Sequence, residues 1–253
     1  MSSAATAVIV FGCIFGAAVL GMTVHARLPG AQLGDDSLDV VKLIMGLIGT
    51  LAALVLGLLI ASAKGTYDVQ RGDVEQLSAD IIQLDRTLAN YGPETKETRE
   101  SLRELVVQNL ARIWPKESAA PGDIAPPKNP TKAEAVFMSI EALSPKTDAQ
   151  TFAKSQALQI ATDMFHTRFL MYAQQASGIS TPMLMILVAW LVLLFLGFGL
   201  LARFNGTVTF ALLIGALSVA GAIFLLLELD HPYGGLMRIS SAPVQNALAR
   251  IGQ

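Results

Sequence analysis

The sequence has little charge and almost no cysteine. Charged residues make up 15% of its 253 positions, against about a quarter in an ordinary soluble domain. The single cysteine, Cys13, excludes an internal disulfide, and its place inside an apolar run predicts a small packing residue. A formal net charge of −2 without a basic stripe argues against nucleic-acid binding, so no nucleic-acid partner is expected.

Signatures of catalysis are also missing. The three histidines, His25, His166 and His231, are far apart in sequence and lack the spacing of metal ligands. The chain has no nucleophile elbow, phosphate-binding loop or dinucleotide fingerprint. We therefore expect no catalytic residue, no metal site and no bound cofactor, and we do not expect an enzyme.

Apolar residues, by contrast, are abundant and concentrated. They make up 53% of the chain and form four runs close to the roughly 20 residues that a helix needs to cross the hydrocarbon core. The predicted spans are at about residues 6–24, 43–62, 183–202 and 207–227. Ser180, Thr181 and Pro182 predict a helix start with a capping hydroxyl before the third span.

These spans predict an all-α membrane protein with four transmembrane helices in two hairpins and a helical cytoplasmic middle region. The predicted divisions are a first hairpin at 1–64, the middle region at 65–178, a second hairpin at 179–230 and a cytoplasmic tail at 231–253. Four spans place both termini and the middle region on one side. A slight excess of Lys and Arg on that side predicts that it is cytoplasmic.

The first span has an alternative interpretation as a cleaved signal peptide. Val24, His25 and Ala26 loosely resemble a cleavage site. The preceding residues 1–6 carry no Lys or Arg, however, and the apolar run is longer than a usual signal core. We therefore favour an uncleaved transmembrane helix.

The middle region is polar but strongly patterned. An apolar stripe continues out of the second span to a break at Gly92 and Pro93; its members are Tyr67, Val74, Leu77, Ile81, Leu84, Leu88 and Tyr91. Further helices are predicted at about 94–113, at 131–143 with Thr131 and Glu134 as a capping box, and at 148–176. The stripes either pack on each other or bind a partner or another subunit.

The second span carries small residues at every fourth position, at Gly49, Ala53, Gly57 and Ala61. At 100° per residue, Lys42 and Lys64 return to this side of the helix. The pattern favours close helix packing, with both lysines snorkelling to the interfaces. The alternative is a pore lining with lysine rings, which favour anions. The candidate pore or pore-mouth residues are Lys42, Thr50, Leu54, Leu58, Ile60 and Lys64.

Acidic residues flank the spans. Glu228 and Asp230 end the fourth span, where they are either functional or simply solvated at the membrane edge. Three more acids precede the second span and would form an acidic vestibule in a ring, or are ordinary loop residues: Asp35, Asp36 and Asp39.

Two blocks of the sequence carry a family resemblance. The first is residues 57–68, followed by Gln70 and Arg71; the second runs through residues 203–207 and 229–235. On these blocks the chain resembles a family of bacterial membrane proteins catalogued as bestrophin-like. His231 and Tyr233 stand where Arg and Phe are commoner in that family.

Bestrophins are pentameric ion channels with cytosolic helical extensions. The resemblance therefore implies a homo-oligomer, a pentamer, in the lipid bilayer of a bacterial inner membrane, with an inorganic ion as its partner and the second span lining the pore. Bulky apolar residues form the bestrophin neck. Here Ile60 is the bulky residue on the lysine-bearing face, whereas Leu54 and Leu58 lie on the bulkier opposite face.

Two functions are consistent with this sequence. One is an oligomeric ion channel. The other is a membrane-anchored interaction or scaffold protein, in which the middle region docks a partner and the spans only anchor it. Acidic residues such as Asp73 and Glu104 would serve the second function, but they are also typical of a solvated surface.

Overall fold

The protein is helical throughout the part that the structure, a computed structural model, describes: residues 2–27, 35–115, 132–175, 180–202 and 204–252. The elements are α1 (Ser3–Arg27), α2 (Asp35–Tyr91), a 3₁₀ turn (Pro93–Thr95), α3 (Lys96–Ile113), α4 (Lys132–Glu141), α5 (Asp148–Gln175), α6 (Thr181–Leu201), α7 (Gly206–Leu229) and α8 (Ala242–Arg250). No strand occurs within these ranges. Four helices, α1, α2, α6 and α7, are long and apolar enough to cross a membrane, so the predicted fold class is confirmed.

The chain divides into two compact units. The membrane unit comprises Met1–Gly65 and Ile179–Asp230, and the helical unit comprises Thr66–Gly178 and His231–Gln253. The C-terminal segment is thus part of the helical unit and contains α8, a helix that sequence analysis does not predict.

In the membrane unit, α1 and α6 approach closely at two facing glycines. A Cβ atom on Gly21 would lie 2.8 Å from the backbone nitrogen of Leu200, and one on Gly199 would lie 3.0 Å from that of Met22. Only glycine allows backbones to approach this closely. Cys13 is exposed, and no atom lies within 4 Å of a Cβ on Gly12 or Gly16. The packing role predicted for Cys13 is therefore not fulfilled within the chain, and Gly12 and Gly16 on the same helix are equally open.

Helix α6 also contacts α2 and α7. The thioether of Met45 in α2 occupies the space beside Gly197, and Phe195 packs against Gly215 of α7. Helix α6 begins at the predicted position with Pro in its first turn, but Ser180 makes no side-chain cap hydrogen bond, so the predicted hydroxyl cap is absent. Helix α7 is instead capped by Asn205, whose side-chain oxygen accepts a hydrogen bond from the Thr207 N–H at 3.3 Å.

The predicted apolar stripes pack on each other in the helical unit. The core combines residues of α2, α3, α4, α5 and α8; among them are Val74, Ile81, Leu84, Leu88, Leu102, Val106, Val136, Ile140, Ala161, Val244 and Ala247. The stripe predicted on α5 is only partly covered, since Phe152, Phe169 and Tyr172 are exposed. Packing is therefore the principal role of these faces within the chain.

Helix α2 ends at Tyr91 because Gly92 has a φ of 140°, a backbone conformation that L side chains rarely adopt. The Thr95 hydroxyl lies 2.6 Å from the Leu88 carbonyl oxygen and 2.8 Å from that of Gly92. Gln150 donates to the Tyr91 carbonyl at 3.1 Å. These bonds satisfy the last carbonyls of α2.

The helix predicted from about residue 94 is split, with a 3₁₀ turn before α3 begins at Lys96. The capping residue predicted for the next helix, Thr131, lies outside the described residues.

Candidate functional site

The part of α2 that lies in the membrane unit has one covered side and two uncovered faces. Met45, Ala52 and Leu59 are buried against the unit. The leucine face is exposed, and it comprises Leu43, Leu47, Leu51, Leu54 and Leu58. The small-residue face (Gly49, Ala53, Gly57 and Ala61) adjoins it. The two faces that the sequence offers for a pore or for packing are thus both accessible in one chain.

The small-residue face makes little contact within the chain. A Cβ atom on Gly57 would have no neighbour within 4 Å, one on Gly49 would only touch Leu194 at 4.0 Å, and Ala53 and Ala61 are exposed. Helix packing through this face therefore stays a prediction, and its partner would have to be another molecule.

The candidate pore residues lie on both uncovered faces. Leu54 and Leu58 are each 62% exposed, Ile60 is half-buried, and Thr50 is exposed. The Thr50 hydroxyl donates to the Leu47 carbonyl at 2.8 Å, so it turns back to its own helix. Thr50, Leu54 and Leu58 follow one another at four-residue spacing along one side of α2, and Ile60 and Lys64 do so along another.

The charged residues at the start of α2 belong to the helix rather than to a loop. Helix α2 begins at Asp35, so Asp35, Asp36 and Asp39 fall in its first turns. Negative charges at this end of a helix interact favourably with the helix dipole. The interpretation as loop residues is therefore wrong. The side chains of Asp35 and Asp36 lie outside the described residues. The carboxylate of Asp39 accepts a 2.9 Å bond from Lys42 Nζ. Lys64, which follows Lys42 by 22 residues, is exposed.

The two acids at the end of α7 differ in exposure. Glu228 is buried and Asp230 is half-buried at the helix C-cap. The interpretation of both as solvated residues is wrong for Glu228, because its surroundings exclude water.

The helical unit contains a buried ion pair that sequence analysis misses. Arg99 donates to the two carboxylate oxygens of Asp85 at 2.7 and 2.9 Å, and the N–H of Gly252 donates to the same carboxylate at 3.2 Å. The hydrogen bond to Asp85 raises the pKa of Arg99. Asp85 lies beside the apolar stripe of α2, and nothing in the local sequence identifies its partner 14 residues away.

A second polar group surrounds Tyr233. This side chain is buried, its hydroxyl has no hydrogen-bond partner among the described residues, and its ring meets Trp114 edge to face at 6.2 Å. Burial, with a smaller contribution from the Asp73 carboxylate, raises the pKa of Tyr233 far above its usual range. Burial also raises the pKa of Asp73, against the opposing effect of a hydrogen bond with Gln174. Burial thus favours the neutral, protonated forms of Tyr233 and Asp73. Their arrangement does not resemble a set of catalytic residues.

Within the described ranges, no three His, Cys, Asp or Glu residues lie together in a way that would hold a metal ion.

A family model described as the Bestrophin-like domain matches residues 12–244. Among solved structures, a variant of a bacterial bestrophin homologue from Klebsiella pneumoniae aligns with a TM-score of 0.75 and 14% identity, covering 100% of this chain and 99% of that one. A second variant aligns with a TM-score of 0.70 and 13% identity, covering 98% and 99%. A variant membrane protein aligns at 0.67 and 12%, covering 96% of both chains. No curated protein matches the sequence.

Proposed function

Since the chain belongs to the family defined by the bestrophin-like domain, we propose that it is one subunit of an oligomeric ion channel in a bacterial inner membrane. The resemblance to bestrophins supports a pentamer, with α2 lining the pore. Its helical unit and termini are proposed to lie in the cytoplasm.

The observation that carries this proposal is the double exposure of α2. Only 17% of its most apolar stretch is buried within the chain, against 22% for α7 and 28% for α1 and α6. Small residues at every fourth position allow another helix to approach closely, whereas contact with lipid tails requires no such pattern. In a ring, the small-residue face of α2 would contact a neighbouring subunit and the leucine face would line the pore.

The charges at the two ends of the α2 span set the expected selectivity. Lys42 and Lys64 lie at opposite ends of the apolar stretch, on the side of the helix that carries the small residues. In a ring they would lie at the subunit boundaries, and their long side chains would extend to the two mouths of the pore. Each lysine would thus become a ring of cationic side chains, which favours anions. Both lysines are therefore proposed to contribute to anion selection.

This proposal is tested by conductance in a planar lipid bilayer under a salt gradient. We expect unitary currents whose reversal potential indicates anion preference. Lys64→Glu and Lys42→Glu should each shift it toward cations. Arg27→Glu is the matched control, because it makes the same charge change at the exposed end of α1 and should leave the reversal potential unchanged. Silence from folded, lipid-reconstituted protein, with and without calcium, would contradict the proposal.

One observation favours the alternative of a membrane-anchored interaction protein. In the helical unit, Met138 is 66% exposed and Phe152 is 69% exposed, so both apolar side chains are available for contact with another protein. That function predicts no current and specific recovery of a partner through residues 66–178. The conductance measurement therefore separates the two functions.

A further inference from the structure

Four buried oxygen atoms in the helical unit make no hydrogen bond to any described residue. They are Gln70 Oε1, Asp73 Oδ2, Gln174 Oε1 and the Tyr233 hydroxyl. Gln70 is 2% exposed and Tyr233 is 3% exposed, so bulk water does not reach these two side chains. Native proteins satisfy nearly all of their buried polar atoms, because an unmade hydrogen bond costs the full desolvation of the group. A ligand that the four oxygens share would remove that cost.

The four oxygens come from three segments that meet around Asp73. Its carboxylate has a side-chain hydrogen bond with Gln174 of α5. The pKa of Tyr233, in the C-terminal segment, is raised by burial and in addition by the charge of Asp73. Gln70 lies three positions before Asp73 on α2, so their side chains are neighbours on one side of that helix. The oxygens are therefore grouped in one part of the helical unit.

The Asp73 carboxylate has no cationic neighbour among the described residues. Burial raises the pKa of Asp73 and the hydrogen bond with Gln174 opposes this effect, but no basic side chain contributes. Arg71, two positions earlier on α2, pairs instead with Glu75 at 3.1 Å. A carboxylate that is withdrawn from water is costly unless it is paired or coordinates a cation. The group therefore favours a ligand with a positive charge.

The chemistry of the four atoms narrows the kind of cation. The carboxylate oxygen and the two amide oxygens can only accept hydrogen bonds, so one water, with two hydrogens to donate, cannot satisfy all three. A hard cation can, because carboxylate, amide and hydroxyl oxygens are its preferred ligands. Calcium sites use several carboxylates, whereas this group has one. A single carboxylate balances a single positive charge.

We propose that these four oxygens bind a monovalent alkali cation, sodium or potassium. The cation links α2 and α5 to the C-terminal segment, and it supplies the positive charge that Asp73 lacks. This binding does not depend on ion conduction, because all four ligands belong to the helical unit. Failure of either proposal is therefore distinguishable from failure of the other.

Trp114 provides the readout. Its ring meets that of Tyr233 edge to face at 6.2 Å, and in the full chain with Trp190→Phe it is the sole tryptophan. This protein, in maltoside detergent at about pH 8, which favours the ionised carboxylate, would be titrated with NaCl or KCl. N-methylglucamine chloride would keep the ionic strength constant. We expect a saturable change in Trp114 fluorescence with at least one of the two salts. The absence of a saturable change with both would overturn the proposal.

Tyr233→Phe in the same background tests the hydroxyl as a ligand. We expect the affinity for the cation to fall roughly tenfold. The Tm should fall in the binding salt but not in N-methylglucamine chloride, since a bound cation stabilises only the folded state. Tyr172→Phe, which removes an exposed hydroxyl from α5, should change neither quantity. A Tm of Tyr233→Phe that rises or falls equally in both salts would overturn the proposal, and an equal fall would assign the hydroxyl to a bound water.

Asp73→Asn tests the charge of the site. It keeps the shape of the side chain and should abolish the saturable response, whereas Glu75→Gln makes the same charge change at an exposed position of α2 and should preserve it. Gln174→Leu removes a neutral ligand instead and serves as the test should Asp73→Asn fail to fold, as judged by circular dichroism. Unchanged cation affinity in a folded Asp73→Asn or Gln174→Leu variant would overturn the site.

Discussion

Asp85 holds three segments of the helical unit together through a single carboxylate. It lies on α2, it binds Arg99 on α3, and it accepts a hydrogen bond from Gly252 after α8. Its side chain is 3% exposed, whereas that of Arg99 is 22% exposed. Removal of one partner from a buried pair leaves an uncompensated charge, so the cost exceeds the net contribution of the pair itself.

Replacement of Arg99 should therefore be strongly destabilising, because the carboxylate that remains is buried. We expect Arg99→Ala, which leaves the buried Asp85 carboxylate without its cation, to lower the free energy of unfolding of the helical unit by about 3–5 kcal/mol, measured by denaturant titration followed by circular dichroism in detergent. Arg71→Ala is the control, since its pair with Glu75 is exposed and should contribute only about 0–1 kcal/mol. Equal losses in both variants would show that the Asp85 pair is not a special contact.

Asp80, in contrast to Asp85, destabilises the folded state at neutral pH. Burial raises the pKa of Asp80, and the nearby Asp163 carboxylate adds to this effect, whereas a 2.8 Å hydrogen bond from Gln76 opposes it. The folded state therefore holds this proton more tightly than the unfolded state does. The resulting stability is fully present below the ordinary pKa of 3.8 and is lost as pH rises through the raised pKa.

Asp80→Asn should raise the Tm at pH 7, because the variant has no buried charge at this position. The difference from the parent protein should shrink toward zero as the pH falls to about 3, where Asp80 is protonated. Thermal unfolding at a series of pH values measures this difference. Glu97→Gln, at an exposed position of α3, should give no such trend. A Tm difference of Asp80→Asn that is independent of pH would contradict the account.

These residue-scale features are invisible to sequence periodicity for a physical reason. Arg99, which pairs with Asp85, lies beyond the turn at Gly92. Asp163, whose charge raises the pKa of Asp80, lies on a different helix. Helical periodicity relates residues three and four positions apart. It therefore predicts which side of α2 is buried, but not which polar group on that side has a partner.

At the scale of the helices, the apolar patterns predict the elements well, because each helix must bury one side. The stripe of α2 from Val74 to Tyr91 is buried as predicted. The crossing of α1 and α6 is different, since it depends on one glycine in each helix. The more regular pair in α1, Gly12 and Gly16, faces outward, so spacing alone selects the wrong glycines.

Gly21→Ala should therefore destabilise the membrane unit, because the new Cβ would meet the backbone of α6. Overpacking of this kind typically costs about 1–3 kcal/mol, and the expected result is a lower Tm in detergent. Gly12→Ala is the matched control on the same helix. Its Cβ meets no atom within 4 Å, so its Tm should be unchanged or slightly higher. Equal losses in the two variants would mean that the crossing does not depend on Gly21.

For the whole molecule, the number of spans follows directly from the sequence, since the thickness of the bilayer sets the length of a spanning helix. The oligomer does not follow, because a face that binds another subunit and a face that meets lipid are both apolar. The packing of α8 into the core is equally unpredictable. It contacts α3, which ends at Ile113, whereas α8 itself begins only at Ala242.

Gly57→Leu tests the proposed ring. The substitution meets no atom of its own chain, so the fold of the subunit should be preserved while a neighbouring helix is displaced. We expect a shift from oligomer toward monomer by light scattering in mild detergent. Gly12→Leu introduces the same side chain at an equally open glycine of α1 and should leave the mass unchanged. An unaltered mass in Gly57→Leu would argue against packing through the small-residue face.

The contribution of the C-terminal segment to the helical core has a consequence for synthesis. Tyr233, Ile239, Val244, Ala247 and Ile251 complete a core whose other buried members precede residue 175, and the hairpin of α6 and α7 is made in between. Roughly 75 residues of translation, about 4–15 s at ~5–20 residues per second, therefore pass before the missing side chains emerge. Throughout this interval the nascent chain presents an unfinished apolar surface, so the last steps of biogenesis are when a chaperone would be needed.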